Sequence, residues 1–206
     1  LLSMRIVERY SHMNGWEFLL SHNPTLWDEI ESAIAAVDSA SCKTMISKDK
    51  QKDGRTLYAP KEISRQLEVG VGSFGWNPKR VDFWIPSDYR MTPKLASLGY
   101  PEQHALLDET GSDGYRSYNQ IDFYKNRVSV EVQFGSKECV AYDLFVKHMS
   151  FFLHDRIDLG IEVLAMRSLT LQMPTGPGSF EGEVYNLLRQ GRNIPPAPLI
   201  ILGVDA

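Results

Sequence analysis

Two short runs joined by a polar turn constrain this chain more than any other stretch. Asn119-Gln120-Ile121-Asp122-Phe123 precedes Tyr124-Lys125-Asn126-Arg127, and Val128-Ser129-Val130-Glu131-Val132-Gln133-Phe134 follows. The second run alternates, so Val128, Val130, Val132 and Phe134 face one side and Ser129, Glu131 and Gln133 the other. The pattern predicts a β-hairpin in which Asp122, on the neighbouring strand, approaches Glu131 on a shared polar face. Two carboxylates that close repel unless a cation sits between them. Mg²⁺ suits the place, because it prefers oxygen ligands and takes only one or two protein carboxylates. On these residues alone, an ordinary half-exposed sheet accounts for the alternation better than a metal site does.

The remainder predicts strands and helices in alternation. Met4–Tyr10 is ambiguous between a strand and a helix start, and Asn14–Ser21 reads as helical. Asn23 can cap a helix with Pro24 in its first turn, Asp28 and Glu29 near its positive end, and Leu26, Ile30, Ala33, Ile34 and Val37 on one stripe. Ser47–Arg55 is a charged loop. Pro60–Val69 predicts a short helix ended by Gly70, Gly72 and Gly75. Val81–Ile85 can form a strand, Pro86–Pro93 is turn-rich, and Pro101–Asp108 predicts a further helix. Glu138–His154 is a strong helix on which Asp143 and Lys147, four apart, can pair at the surface. His148 and His154 read as packed or satisfied histidines. Gly160–Met166 predicts a strand, giving a strand-helix-strand parallel crossover. Met173–Ser179, rich in proline and glycine, follows that strand region, where α/β sheets usually bind their ligands. Glu181–Gln190 predicts a helix, and Leu199–Val204 a buried strand.

The 206 residues suffice for one sizeable core, and 1–206 reads as a single domain. No apolar run reaches a membrane span, and no secretory leader is expected. Leu1-Leu2-Ser3 before Met4 read as a cloning remnant. Cys42 and Cys139 form neither a metal motif nor a disulfide framework, so a reducing cytoplasm is expected. A formal charge of −4 argues against a basic coat for non-specific nucleic-acid binding, but not against a local basic cleft.

Asp122-Phe123 with Glu131-Val132-Gln133-Phe134 resembles the catalytic core of type II restriction endonucleases of the BglII and BstYI kind, within the PD-(D/E)XK nuclease superfamily. The likeness runs nearly end to end, through Met4–Glu8, Ser117–Gln120, Val140–Met149 and Arg189–Arg192. The resemblance implies an α/β fold with a central mixed sheet flanked by helices. It also implies a homodimer whose twofold axis matches a palindrome in double-stranded DNA. The implied reaction is Mg²⁺-dependent double-strand cutting at a site with a GATC centre, RGATCY, before the first G of GATC. A cognate DNA methyltransferase is implied genetically, not as a stable complex.

The implied catalytic residues are Asp122, Glu131 and Gln133. Asp122, Glu131 and the main-chain carbonyl of Val132 are the implied metal ligands. Gln133 stands where most of the superfamily has lysine; it can orient water but supplies neither charge nor a strong base, which leaves the general base open. Ser136, Lys137 and Thr175 are implied at the DNA. Ser136 stands where the BstYI branch carries lysine, and Thr175 where it carries serine, two departures at positions implied to read the outer bases. Turn chemistry accounts for Thr175 nearly as well. A superfamily nuclease with a repair role and an inactive sequence-specific DNA-binding protein are the competing readings.

Overall fold

The computed structural model describes residues 3–47 and 53–206. Most of the Ser47–Arg55 loop therefore lies outside the described residues. The chain forms two compact units, one of Leu1–Asn77 with Asp122–Ala206 and one of Pro78–Ile121.

The first unit begins with β1 (Arg5–His12), which resolves the ambiguous first segment as a strand. Helices α1 (Gly15–His22) and α2 (Pro24–Ala35) follow. Pro24 sits in the first turn of α2 as expected, but Asn23 makes no side-chain cap and the first turn holds no acid. Glu29 lies a turn later and is spent elsewhere, accepting from Trp76 Nε1 at 2.8 Å and Lys125 Nζ at 2.7 Å. A small hairpin of β2 (Met45–Ile46) and β3 (Thr56–Leu57) brackets the charged loop. Helix α3 (Pro60–Ser73) outruns the expected end by continuing through Gly70 and Gly72. Gly70 is needed for close packing, since a Cβ there would stand 3.3 Å from Ala33 Cβ and O. The stop comes at Gly75, whose φ of +81° suits glycine.

The second unit pairs β4 (Asn77–Pro86) with the start of β5 (Gly114–Lys125). Helices α4 (Thr92–Ala96) and α5 (Tyr100–Thr110) lie between them in sequence. Leu95, Leu106 and Leu107 make its small core with Trp84, Met91 and Leu98. The buried amide of Gln103 ties it together, donating to the Leu95 and Leu98 carbonyls and accepting from the Trp84 N–H.

Back in the first unit come β6 (Val128–Val132), a helical stretch over 137–153, β7 (Leu159–Ala165), the short helix Arg167–Thr170, the helix Phe180–Gln190 and β8 (Leu199–Asp205). The mixed sheet has six strands in the order β1-β8-β7-β6-β5-β4. β6, β7 and β8 run parallel to their neighbours in that trio, while β1 is antiparallel to β8 and β5 to β6. The expected parallel crossover is therefore present, since the 137–153 helix links β6 to the adjacent parallel β7.

Both faces of the sheet are covered at β6, β7 and β8. Val128, Val130, Leu159, Ile161, Val163, Ile200 and Leu202 pack with Leu19, Leu26, Ile30, Ile63 and Leu67 of α1 to α3. Leu164, Leu199 and Ile201 face the other way, onto Val140, Leu144, Phe180 and Leu187. Among the described residues no helix is long and apolar enough to cross a membrane.

Candidate active site

The hairpin turns on Asn126 and Arg127, both at positive φ (46° and 64°), the two-residue turn whose twist matches paired strands. Arg127 is pinned by its guanidinium, which donates to both Asp158 oxygens at 2.8 Å. The register pairs Phe123 with Val130 and Tyr124 with Ser129. One more step along that register sets Asp122 opposite Glu131. Asp122 is exposed, whereas Glu131 is 1% exposed.

The polar face of β6 is not a wet one. Ser129 and Glu131 are fully buried, because the 137–153 helix lies over them. That helix is α-helical over Lys137–Tyr142, π-helical over Asp143–His148, and α-helical again over Met149–Leu153. The π turn places Asp143, Lys147 and His148 against the sheet together, where all three meet strand residues or one another.

Lys147 Nζ donates to Glu131 Oε2 at 3.0 Å and to Asp143 Oδ1 at 2.8 Å. The i, i+4 pair is thus present but sunk into the fold rather than at its surface: the Asp143 side chain is only 3% exposed. Gln133 Nε2 donates to Asp143 Oδ2 at 3.2 Å, and Gln133 Oε1 accepts from the Gly135 N–H at 3.1 Å. Glu162, level with Glu131 on the adjacent parallel strand, is also fully buried. His148 links Glu162 Oε2 (3.3 Å from Nε2) to Ser129 Oγ (3.0 Å from Nδ1). His148 is the satisfied histidine expected.

The electrostatics follow from this crowding. Burial, then the charges of Asp122 and Asp143, push the Glu131 carboxyl up to about 9 against the pull of Lys147. Burial likewise holds Glu162 well above the carboxylate range, aided by Asp143 and Glu131. His148 is pushed down to about 3, by burial first and Lys147 second. One oxygen of each glutamate, Glu131 Oε1 and Glu162 Oε1, is buried without a hydrogen-bond partner.

Among the described residues no three His, Cys, Asp or Glu are grouped to hold a metal. A site built here therefore needs an ion content with few protein ligands. Glu131, opposite Asp122 in the register and with Oε1 orphaned, fits a hard, oxygen-seeking cation that keeps most of its water.

Val132 closes β6 level with Val163, half-buried. Ser136 caps the following helix. Its Oγ accepts from the Glu138 N–H at 3.4 Å and donates to the Glu138 carboxylate. Lys137 is exposed, and its N–H donates to Gly176 O at 2.9 Å. That bond joins the Ser136-Lys137 segment to the loop carrying exposed Thr175. A cleft of about 320 Å³ lies between Gln133–Gly135 and the Lys61, Ser64 and Arg65 side of α3.

Asp143, Lys147 and Glu162 were missed by sequence reasoning as parts of the site, though each left a trace. Asp143 and Lys147 fall on the Val140-Leu144-Phe151 stripe, the buried side of their helix, and Glu162 interrupts the apolar run of β7.

A family model for "Restriction endonuclease BglII/BglIII" matches residues 7–204. Among curated proteins there is no significant match. The chain is similar to the crystal structure of restriction endonuclease BglII complexed with a DNA 16-mer, at a TM-score of 0.62 and 18% identity, covering 100% of this chain and 79% of that one. It is similar also to free BglII, at a TM-score of 0.56 and 16% identity, covering 98% and 79%.

Proposed function

The chain belongs to the BglII/BglIII restriction endonuclease family, and so is a type II site-specific deoxyribonuclease; from that premise we propose that it cuts both strands of duplex DNA at RGATCY, before the first G of GATC, with Mg²⁺. A homodimer does this in the cytoplasm, with 1–206 as one catalytic and DNA-binding domain in each copy. The observation that carries the reading is the hairpin register, which sets exposed Asp122 opposite buried Glu131 with one Glu131 oxygen unspent.

In this reading Asp122, Glu131 and the Val132 carbonyl hold the divalent ion, which supplies positive charge against the phosphate and a more acidic water. The chain's own groups do the rest. Glu131 presents a single oxygen, because Lys147 occupies the other. Gln133, unable to carry charge, has its carboxamide locked between Gly135 and Asp143, and orients water with what remains of its donor capacity. Ser136, Lys137 and Thr175 are brought to one edge by the Lys137–Gly176 hydrogen bond, and there face the bases and backbone.

Digestion of unmethylated plasmid DNA with and without Mg²⁺, followed by sequencing of the ends, tests this. Discrete cuts at RGATCY with 5′-GATC overhangs are expected. Cuts at another GATC-centred site reassign Ser136 and Thr175 while keeping the mechanism. No cutting by folded protein with Mg²⁺ present favours a DNA-binding protein without catalysis. Glu131→Ala is expected to abolish cleavage and leave DNA binding intact.

A further inference from the structure

Glutamine at position 133 leaves the end of the catalytic strand without a cation. A cation reaches the site nonetheless, from the helix that covers it. Lys147 Nζ lies 3.0 Å from Glu131 Oε2 and 2.8 Å from Asp143 Oδ1. Asp143 Oδ2 in turn accepts from Gln133 Nε2 at 3.2 Å, and Gln133 Oε1 accepts from the Gly135 N–H at 3.1 Å. A continuous chain of hydrogen bonds thus runs from the loop after β6, through Gln133, Asp143 and Lys147, to Glu131. It stops there: Glu131 Oε1 is buried and has no partner.

Such an arrangement is a poor way to gain stability, because a buried ion pair seldom outperforms apolar residues of the same volume. Its effect is directional. Glu131 is 1% exposed and faces two other carboxylates, Asp122 and Asp143. With no ammonium among them, nothing fixes which way its carboxylate turns. With Lys147 on Oε2, only Oε1 is left to point elsewhere.

We propose that Lys147 is a positioning residue for the divalent-cation site, holding Glu131 by one oxygen so that the other is presented beside Asp122, and holding Gln133 in the same network through Asp143. The inference rests on Asp122 and Glu131 being the metal-binding pair. Lys147 takes over in space the charge that position 133 lacks in sequence, and it does so from a residue fourteen positions further along the chain.

The test is calorimetric titration of the protein alone, without DNA, with Mg²⁺ and with Mn²⁺. Lys147→Met is expected to bind either ion about 10–100-fold more weakly than the parent, the usual loss when a partner that orients a metal ligand is removed. Lys147→Arg, which keeps the charge, recovers most of that affinity. In steady-state cleavage Lys147→Met lowers kcat and leaves KM for DNA unchanged. Equal or tighter ion binding by Lys147→Met overturns the proposal, since the ammonium is then a purely structural or a competing charge. Should Lys147→Met fail to fold by circular dichroism, the double variant Asp143→Asn/Lys147→Gln replaces it. That variant removes both charges of the pair together, with the same loss expected and the same result overturning. Glu131→Ala separates the two levels: if it binds the ion as the parent does, the metal-pair reading fails, whatever Lys147 does.

Discussion

β6 is a boundary between two interiors of opposite character. On one side Val128 and Val130 join Leu159, Ile161, Val163, Ile200 and Leu202 in a layer that carries no charge. On the other, Ser129 and Glu131 are just as dry, yet they meet Lys147, His148, Asp143 and Glu162. The apolar layer is held by area removed from water, which has no direction and tolerates repacking of equal volume. The polar layer is held by particular donors on particular acceptors, and it leaves two glutamate oxygens unsatisfied. A sheet that only had to be stable would carry the first layer on both faces. The second is where stability is given up for chemistry.

The sharpest way to break this contrast is Glu131→Gln, an isosteric change on the polar side. Cleavage should fall by about 10³-fold or more, while the thermal midpoint of the metal-free protein holds, because burial already favours the neutral form of Glu131 and the amide keeps its shape. Single-turnover cleavage and a melting curve on the same preparation decide it; a drop in both makes Glu131 structural. The counterpart on the apolar side is Ile161→Ala, at a residue with no exposure. Chemical denaturation should show a loss of about 2–5 kcal/mol, with the cutting rate per folded molecule unchanged. An altered rate would mean that the two layers are not independent.

Gly160 lets the 137–153 helix lie close on the polar side of the sheet. A Cβ there would stand 2.5 Å from His148 Nδ1 and 2.7 Å from Leu199 Cδ2. Gly160→Ala should destabilise by about 1–3 kcal/mol, read by the same denaturation; a smaller cost would show that His148 can move aside.

The gentlest probe is pH. His148 is held down to about 3 from an ordinary 6.5, so the unfolded chain takes up this proton first as pH falls. Its contribution to stability is complete above about 6.5 and is lost progressively toward about 3. Melting midpoints of His148→Gln should fall less steeply than those of the parent across that window. Parallel curves would show that His148 is not the buried neutral imidazole of the polar layer.

What the sequence disclosed, and what it withheld, divides along the same line. The hairpin was legible from alternation and turn chemistry, and the crossover from an apolar strand, an amphipathic helix and a second apolar strand. Alternation also placed Ser129 and Glu131 on a common face. It could not say that the face is dry, because a period of two reports which residues share a side and not what covers it. Asp143 and Lys147 were legible as neighbours from their i, i+4 spacing, while their burial depended on which way the helix lies on the sheet. The meeting of the Ser136-Lys137 and Thr175 segments came from one backbone hydrogen bond between residues 137 and 176, a contact with no local signal. Helix α3 ran past Gly70 because Ala33 of α2 requires that close approach, and packing outweighs the intrinsic cost of glycine there.

The π turn over Asp143–His148 carries a consequence for how such a site can be inherited or lost. In an α-helix two residues five apart diverge by about 140° around the axis, so Asp143 and His148 could not both address the sheet. A turn closed between residues i and i+5 brings them onto one side. One surplus residue is in effect stored in the helix. Deleting a single exposed position within it, such as Val146, would remove no side chain of the site. Asp143 and His148 would then stand four apart, the spacing at which an ordinary α-helix keeps two residues on one side. A related chain one residue shorter here can therefore keep the same polar side in an ordinary α-helix, and a comparison that allows no gap in this segment would set the wrong residues against each other.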